Sequence, residues 1–133
     1  MRVLITGATG LIGKEIVKLC HKKNISVNYL TTSKSKISNN TNYQGFYWNP
    51  ETKEINLQCF KEVEVIIHLA GATVSKRWTS EYKKEILSSR LETTQLLVDS
   101  LKNNKNEINL FKTLFSDNRC SDCICCCIML CTI

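Results

Sequence analysis

Proline occurs once in this 133-residue sequence, at Pro50, and glycine five times, with three of the five inside Gly7–Gly13. Turn-formers this scarce, without any internal repeat, leave the composition of an ordinary globular chain, long enough for one buried core and short of a two-lobed enzyme. No apolar run approaches the ~18–20 residues needed to cross a bilayer, so no membrane segment is predicted. Nor does the N-terminus carry a long apolar stretch with a small-residue cleavage site, and a cytoplasmic, intracellular chain is expected. A dense basic block is missing as well. The net charge of +6 comes from lysines scattered among asparagines, as in Lys22-Lys23-Asn24 and Lys102-Asn103-Asn104-Lys105. Such lysines form solvated faces, which argues against a nucleic-acid partner while still favouring an anionic ligand.

What is present alternates. Arg2–Thr6 is a β-branched, apolar run that ends at a glycine, as a buried parallel strand does. Between Leu11 and Lys23 the apolar residues Leu11, Ile12, Ile16, Val17, Leu19 and Cys20 recur at helical spacing, with Asn24 as the stop. Strands are predicted near 25–31, 44–48 and 63–69, with a further one near 109–115. Ser33–Asn42 reads as a polar, mobile loop with at most a weak helix, and Asn49-Pro50 as a turn. A long helix is predicted near 79–102, with Tyr82, Ile86, Leu97 and Leu101 facing inward and Glu81 near its N-terminus. Strands alternating with helices imply an α/β fold around a parallel sheet.

Thr6-Gly7-Ala8-Thr9-Gly10-Leu11-Ile12-Gly13 places glycines three apart where the first strand meets the first helix. Gly7 permits the tight turn, Gly10 admits a pyrophosphate to backbone N–H groups, and Gly13 lets the helix pack close to the strand. This spacing resembles the extended short-chain dehydrogenase/reductases, the NAD-dependent epimerase/dehydratase family. Trp48-Asn49-Pro50-Glu51-Thr52 followed by Ile55, then Val65–Gly71, then Lys76-Arg77-Trp78-Thr79 resemble the cell-division-inhibitor-like subgroup of that family. Asn49 and His68 stand where the subgroup usually has Asp and Asn. The resemblance covers residues 1 to about 113, and residues 114–133 fall outside it. It implies a Rossmann-like, doubly wound parallel sheet, here truncated, with the cofactor held by Gly7, Ala8, Thr9, Gly10, Leu11 and Ile12. It also implies that the backbone of Leu69, Ala70 and Gly71 lies along the adenosine side.

Cofactor choice follows from another absence. An NAD site of this class places Asp or Glu at the end of the second strand to hold the ribose 2′-hydroxyl. No acidic residue occurs between Glu15 and Glu51. The strand ends instead in Thr31, Thr32, Ser33 and Lys34, whose hydroxyls and cation suit a 2′-phosphate, so NADP is favoured over NAD. His68, inside an apolar strand end, is expected to be a packed and satisfied histidine rather than a catalytic base. Arg90 stands where extended members carry an asparagine, and pairing with a nearby carboxylate is the alternative to a site role.

The superfamily's proton relay uses a tyrosine with a lysine four positions later, because the cation lowers the phenol pKa. No such pair exists here: Tyr29, Tyr43, Tyr47 and Tyr82 are followed at that spacing by Ser33, Tyr47, Glu51 and Ile86. Ser116 resembles the first serine of the family's serine-containing strand end, and agreement stops there. Cys20 and Cys59 lie in the body, whereas Cys120, Cys123, Cys125, Cys126, Cys127 and Cys131 crowd the last stretch. Three accounts of this stretch stand: sequence foreign to the fold, as from a frameshift, a retained intron or a wrong gene model, which is favoured; a metal site, against which adjacent cysteines argue; or a lipidated anchor, against which the missing prenylation box argues. The tail is expected to be disordered. The whole chain is read as the NAD(P)-binding part of an epimerase/dehydratase-like oxidoreductase, catalytically incomplete, with a non-catalytic nucleotide-binding or redox-sensing module as the alternative. Self-association through an exposed sheet edge is expected.

Overall fold

The computed structural model describes residues 1–71, 79–103, 110–113 and 130–131. Strand β1 (Arg2–Thr6) is buried from Val3 to Thr6, because it lies between neighbours and is covered on both faces; that is why its sequence is continuously apolar and does not alternate. It pairs in parallel with β2 (Ser26–Thr31) on one side, Thr6 opposite Leu30. Three further strands are β3 (Asn39–Asn40), β4 (Tyr43–Asn49) and β5 (Glu54–Ile55). On its other side β1 pairs in parallel with β6 (Val65–His68), Thr6 opposite His68. β7 (Leu110–Thr113) continues the sheet in parallel, and β8 (Leu130–Cys131) pairs with β7 antiparallel. The strand order is β3-β4-β2-β1-β6-β7-β8, with β5 on β4.

Among the described residues two α-helices cover the sheet from opposite sides. α1 (Leu11–Lys22) sets Val17 and Cys20 against Val3, Ile5, Val27 and Tyr29. α2 (Ser80–Asn103) sets Leu96, Leu97 and Leu101 against Leu4, Leu30, Phe46, Trp48 and Ile66 on the other face. The period-two alternation of strand side chains sorts these residues into two cores. α1 stops where Asn24 enters the left-handed region at φ 54°, after the Lys23 N–H has reached the Leu19 and Cys20 carbonyls. At the start of α2 the Thr79 hydroxyl accepts the Tyr82 N–H at 3.1 Å, as a helix-capping residue does.

The alternation of strands and helices, the parallel core of the sheet and the inward positions Tyr82, Ile86, Leu97 and Leu101 agree with the sequence reading. Four details differ. The polar stretch 33–42 is built rather than loose: it contains a 3-10 turn at Lys34–Lys36 and the two-residue strand β3. A second 3-10 turn, Leu57–Phe60, drops Cys59 and Phe60 into the core. Along α1, Leu11, Ile12 and Leu19 are exposed although their spacing placed them with the buried set, because a helix docked on one sheet buries a single stripe. The sheet is mixed, not wholly parallel, owing to its short antiparallel members β3, β5 and β8. Of the tail, only Leu130–Cys131 is described; its other residues lie outside the described set. Among the described residues no helix is long and apolar enough to cross a membrane.

Candidate functional site

The chain passes from β1 through α1 to β2 on one side, and β6 lies on the other, so the strand order reverses between β1 and β6. In open α/β sheets the crevice beyond the carboxyl ends of such strands is where ligands settle. Gly7 occupies it at φ 72°, a left-handed conformation that a side chain resists, and its carbonyl accepts the Gly10 N–H at 3.0 Å. A Cβ on Gly7 would stand 3.1 Å from the Leu69 carbonyl carbon and 3.2 Å from the Ala70 nitrogen. The turn after β1 therefore lies directly against the backbone that leaves β6. Gly13 is tighter still, since a Cβ there would run into the Gly7 oxygen and the Ala8 backbone. That contact sets how closely α1 approaches the sheet.

Gly10 is different. Beyond the Gly7 oxygen at 3.2 Å, a Cβ on Gly10 would meet open space. α1 begins there without a side-chain cap and without an acidic residue in its first turn. A helix start leaves its first N–H groups without intrahelical partners and carries partial positive charge, a combination suited to an anion. Leu11 and Ile12 are 88% and 50% exposed beside it. An open glycine, an uncapped helix start and uncovered apolar side chains fit a dinucleotide whose pyrophosphate faces the helix.

Beneath this turn lies a closed polar network. The Thr6 hydroxyl accepts the Leu69 and Ala70 N–H groups, each at 3.0 Å, and lies 2.6 Å from Nδ1 of His68. With two bonds accepted, Thr6 Oγ1 donates its own proton to Nδ1. The imidazole then carries its proton on Nε2 and donates to Thr93 Oγ1 at 3.1 Å, and Thr93 donates in turn to the Ser89 carbonyl at 2.8 Å. Burial, with the charge of Arg90 as a smaller contribution, lowers the His68 pKa from 6.5 to about 4. His68 is thus a satisfied neutral histidine, as expected of it, and it ties β1, β6 and α2 together. Arg90 lies against Gly71, where a Cβ would stand 3.0 Å from its Cγ.

At the end of β2, Thr31 is buried, Ser33 half-buried and Thr32 exposed. The Thr31 hydroxyl accepts the Ser33 N–H at 3.2 Å, and the Ser33 and Ser35 hydroxyls are 2.8 Å apart. Tyr29 anchors the following turn from below, its hydroxyl donating to the Lys36 carbonyl at 2.6 Å and accepting the Ser38 N–H at 2.9 Å. The Lys34 ammonium sits 5.0 Å from the centroid of the Tyr47 ring. All three segments singled out in the sequence, Gly7–Ile12, Thr31–Ser33 and Leu69–Gly71, thus sit at the carboxyl ends of the adjacent strands β2, β1 and β6. Lys76, Arg77, Trp78 and Ser116 lie outside the described residues. Sequence reasoning passed over Thr6, Thr93 and Tyr47; the only local signal was the position of Thr6 at a strand end immediately before the glycine turn.

Residues 3–117 match the family model described as the NAD dependent epimerase/dehydratase family. An epimerase family protein of Staphylococcus haemolyticus is 36% identical over 96 residues, which make up 72% of this chain and 31% of that protein. A crystal structure of a human epimerase family protein with NADPH aligns at a TM-score of 0.65 and 26% identity, covering 85% of this chain and 36% of that one. A short chain dehydrogenase from Leptospira borgpetersenii with bound NAD+ shares the fold at a TM-score of 0.57 and 23% identity, over 74% of this chain and 43% of that one. The chain spans about a third of the length of the first of these relatives, and with its glycine turn, strand order and matched residues it belongs to the NAD-dependent epimerase/dehydratase family.

Proposed function

We propose that this chain is the nicotinamide-dinucleotide-binding part of an epimerase/dehydratase-type oxidoreductase, that it holds NADP in preference to NAD, and that these 133 residues bind cofactor without turnover. The observation that carries the reading is the open space over Gly10 at the uncapped start of α1, in the crevice where the strand order reverses. Gly7, Ala8, Thr9, Gly10, Leu11 and Ile12 would hold the pyrophosphate. Leu69, Ala70 and Gly71 would line the adenosine side, and Thr31, Thr32 and Ser33 would face the ribose. The cofactor supplies hydride transfer when bound. The chain's own residues bind and orient it, and no tyrosine here carries the lysine partner needed to move a proton.

NADP is favoured because the end of β2 offers hydroxyls and a lysine and no carboxylate. A redox-sensing role draws no support from Cys20 and Cys59: both are buried, and burial pushes both thiols up, away from the reactive thiolate. Isothermal titration with NADPH and NADH tests the proposal. NADPH is expected to bind more tightly, and Gly10→Val to remove binding of both by filling the pyrophosphate's space. Tighter NADH binding would overturn the preference, unchanged binding by Gly10→Val would overturn the site, and hydride transfer by the purified chain would overturn the absence of turnover.

A further inference from the structure

The turn after β2 contains a charged side chain seated on an aromatic face, a contact with no evident role in holding the fold. Lys34 is exposed, and its ammonium lies 5.0 Å from the centroid of the Tyr47 ring. Tyr47 belongs to β4, directly opposite Thr31 of β2 in the parallel register. Alternation along the strands puts Thr31 on the same sheet face as Tyr29, and Tyr47 on the same face as Tyr43. Tyr29 and Tyr43 stack with centroids 4.4 Å apart in the core that α1 covers. Tyr47 therefore lies on the α1 side of the sheet, at the carboxyl edge, one strand out from the β2 end.

The rest of the turn is held independently of Lys34. Tyr29 fixes Lys36 and Ser38, Thr31 fixes Ser33, and the Ser33 and Ser35 hydroxyls face each other at 2.8 Å. A lysine side chain is long and rotamer-rich, and immobilising it on binding costs affinity unless it is already directed. The ring of Tyr47 does that directing through cation–π attraction. We infer that Tyr47 is a positioning residue for cofactor selection: it holds the Lys34 ammonium at the end of β2, in the same turn as the Ser33 and Ser35 hydroxyls, and these groups receive the 2′-phosphate of NADP. The inference rests on the proposed function and adds to it a residue from the neighbouring strand.

Titrations of the purified chain with NADPH and with NADH test it in four variants. Tyr47→Leu is expected to weaken NADPH binding roughly 2- to 5-fold while leaving NADH unchanged, whereas Tyr47→Phe, which keeps the ring face, should retain the wild-type values. Lys34→Met should weaken NADPH by roughly 10-fold. Adding Tyr47→Leu to Lys34→Met should cost nothing more, because the ring then has no cation to position. Equal losses for NADPH and NADH in Tyr47→Leu would assign the residue a merely structural role and overturn the inference. So would additive losses in the double variant, or an unchanged NADPH affinity in Lys34→Met, which would point to another cation. A wild-type chain that binds neither nucleotide would sink the proposed function and this inference with it. An NADPH affinity left unchanged by Tyr47→Leu, in a chain that prefers NADPH, would remove Tyr47 alone.

Discussion

At the carboxyl end of β1 a single hydroxyl, that of Thr6, serves three partners: the Leu69 and Ala70 amides and the His68 ring. Removing one member of so buried a network strands the others, at about 1–3 kcal/mol for each unsatisfied group. His68 also makes stability depend on pH. In the folded chain it stays neutral down to about pH 4, whereas in the unfolded chain it takes up a proton near 6.5. The unfolded state binds more protons between those values, so the stability that is fully present above pH 6.5 drains away as pH falls toward 4. The full change is about 3 kcal/mol. Denaturant unfolding across that window should show the decline in the wild type and a shallower one in His68→Asn; identical slopes would show that another group titrates there. None of this was visible in the sequence beyond the burial of His68. Thr6, His68 and Thr93 are separated by 62 and 25 residues, and only the folded sheet brings them together. The glycines were legible for the opposite reason, since Gly7, Gly10 and Gly13 act within one turn and their spacing alone specifies it.

At the scale of elements, the seam between α1 and β1 decides whether the helix start faces the crevice. Gly13 allows that seam, and Gly13→Val would drive a side chain into the Gly7 carbonyl and the Ala8 backbone. The expected cost is about 1–3 kcal/mol or more in denaturant midpoint experiments, with dinucleotide affinity falling alongside it as the helix start moves. Unchanged stability would mean that α1 is not packed as described. β1 and β6 were readable as short, continuously apolar runs, and α2 by the helical spacing of Tyr82, Ile86, Leu97 and Leu101 over its 24 residues. β3, β5 and the two 3-10 turns were not readable. Two-residue pairings such as Asn39 with Gln44 carry no period of their own and form because β4 is already in place.

Across the whole molecule, the sheet separates two environments. Its carboxyl edge gathers the three glycine, threonine–serine and strand-end segments. Toward its amino end lies a polar hollow lined by Arg2, Asn28, Gln44, Lys61 and Glu62. There Arg2 donates to the Asn28 side chain at 2.8 Å and lies 3.7 Å from Glu62. The outer side of β7 carries β8 in a two-residue antiparallel pairing, which no reading of the cysteine-rich stretch anticipated. The proposed dinucleotide site lies at the carboxyl edge. Its most direct test is the amide spectrum of the isotope-labelled chain during an NADPH titration. The predicted result is shifts concentrated at Gly7–Gly13, Thr31–Ser33 and Leu69–Gly71, with Arg2, Asn28 and Glu62 unmoved; shifts gathered around Arg2, Asn28 and Glu62, or none at saturating NADPH, would contradict it.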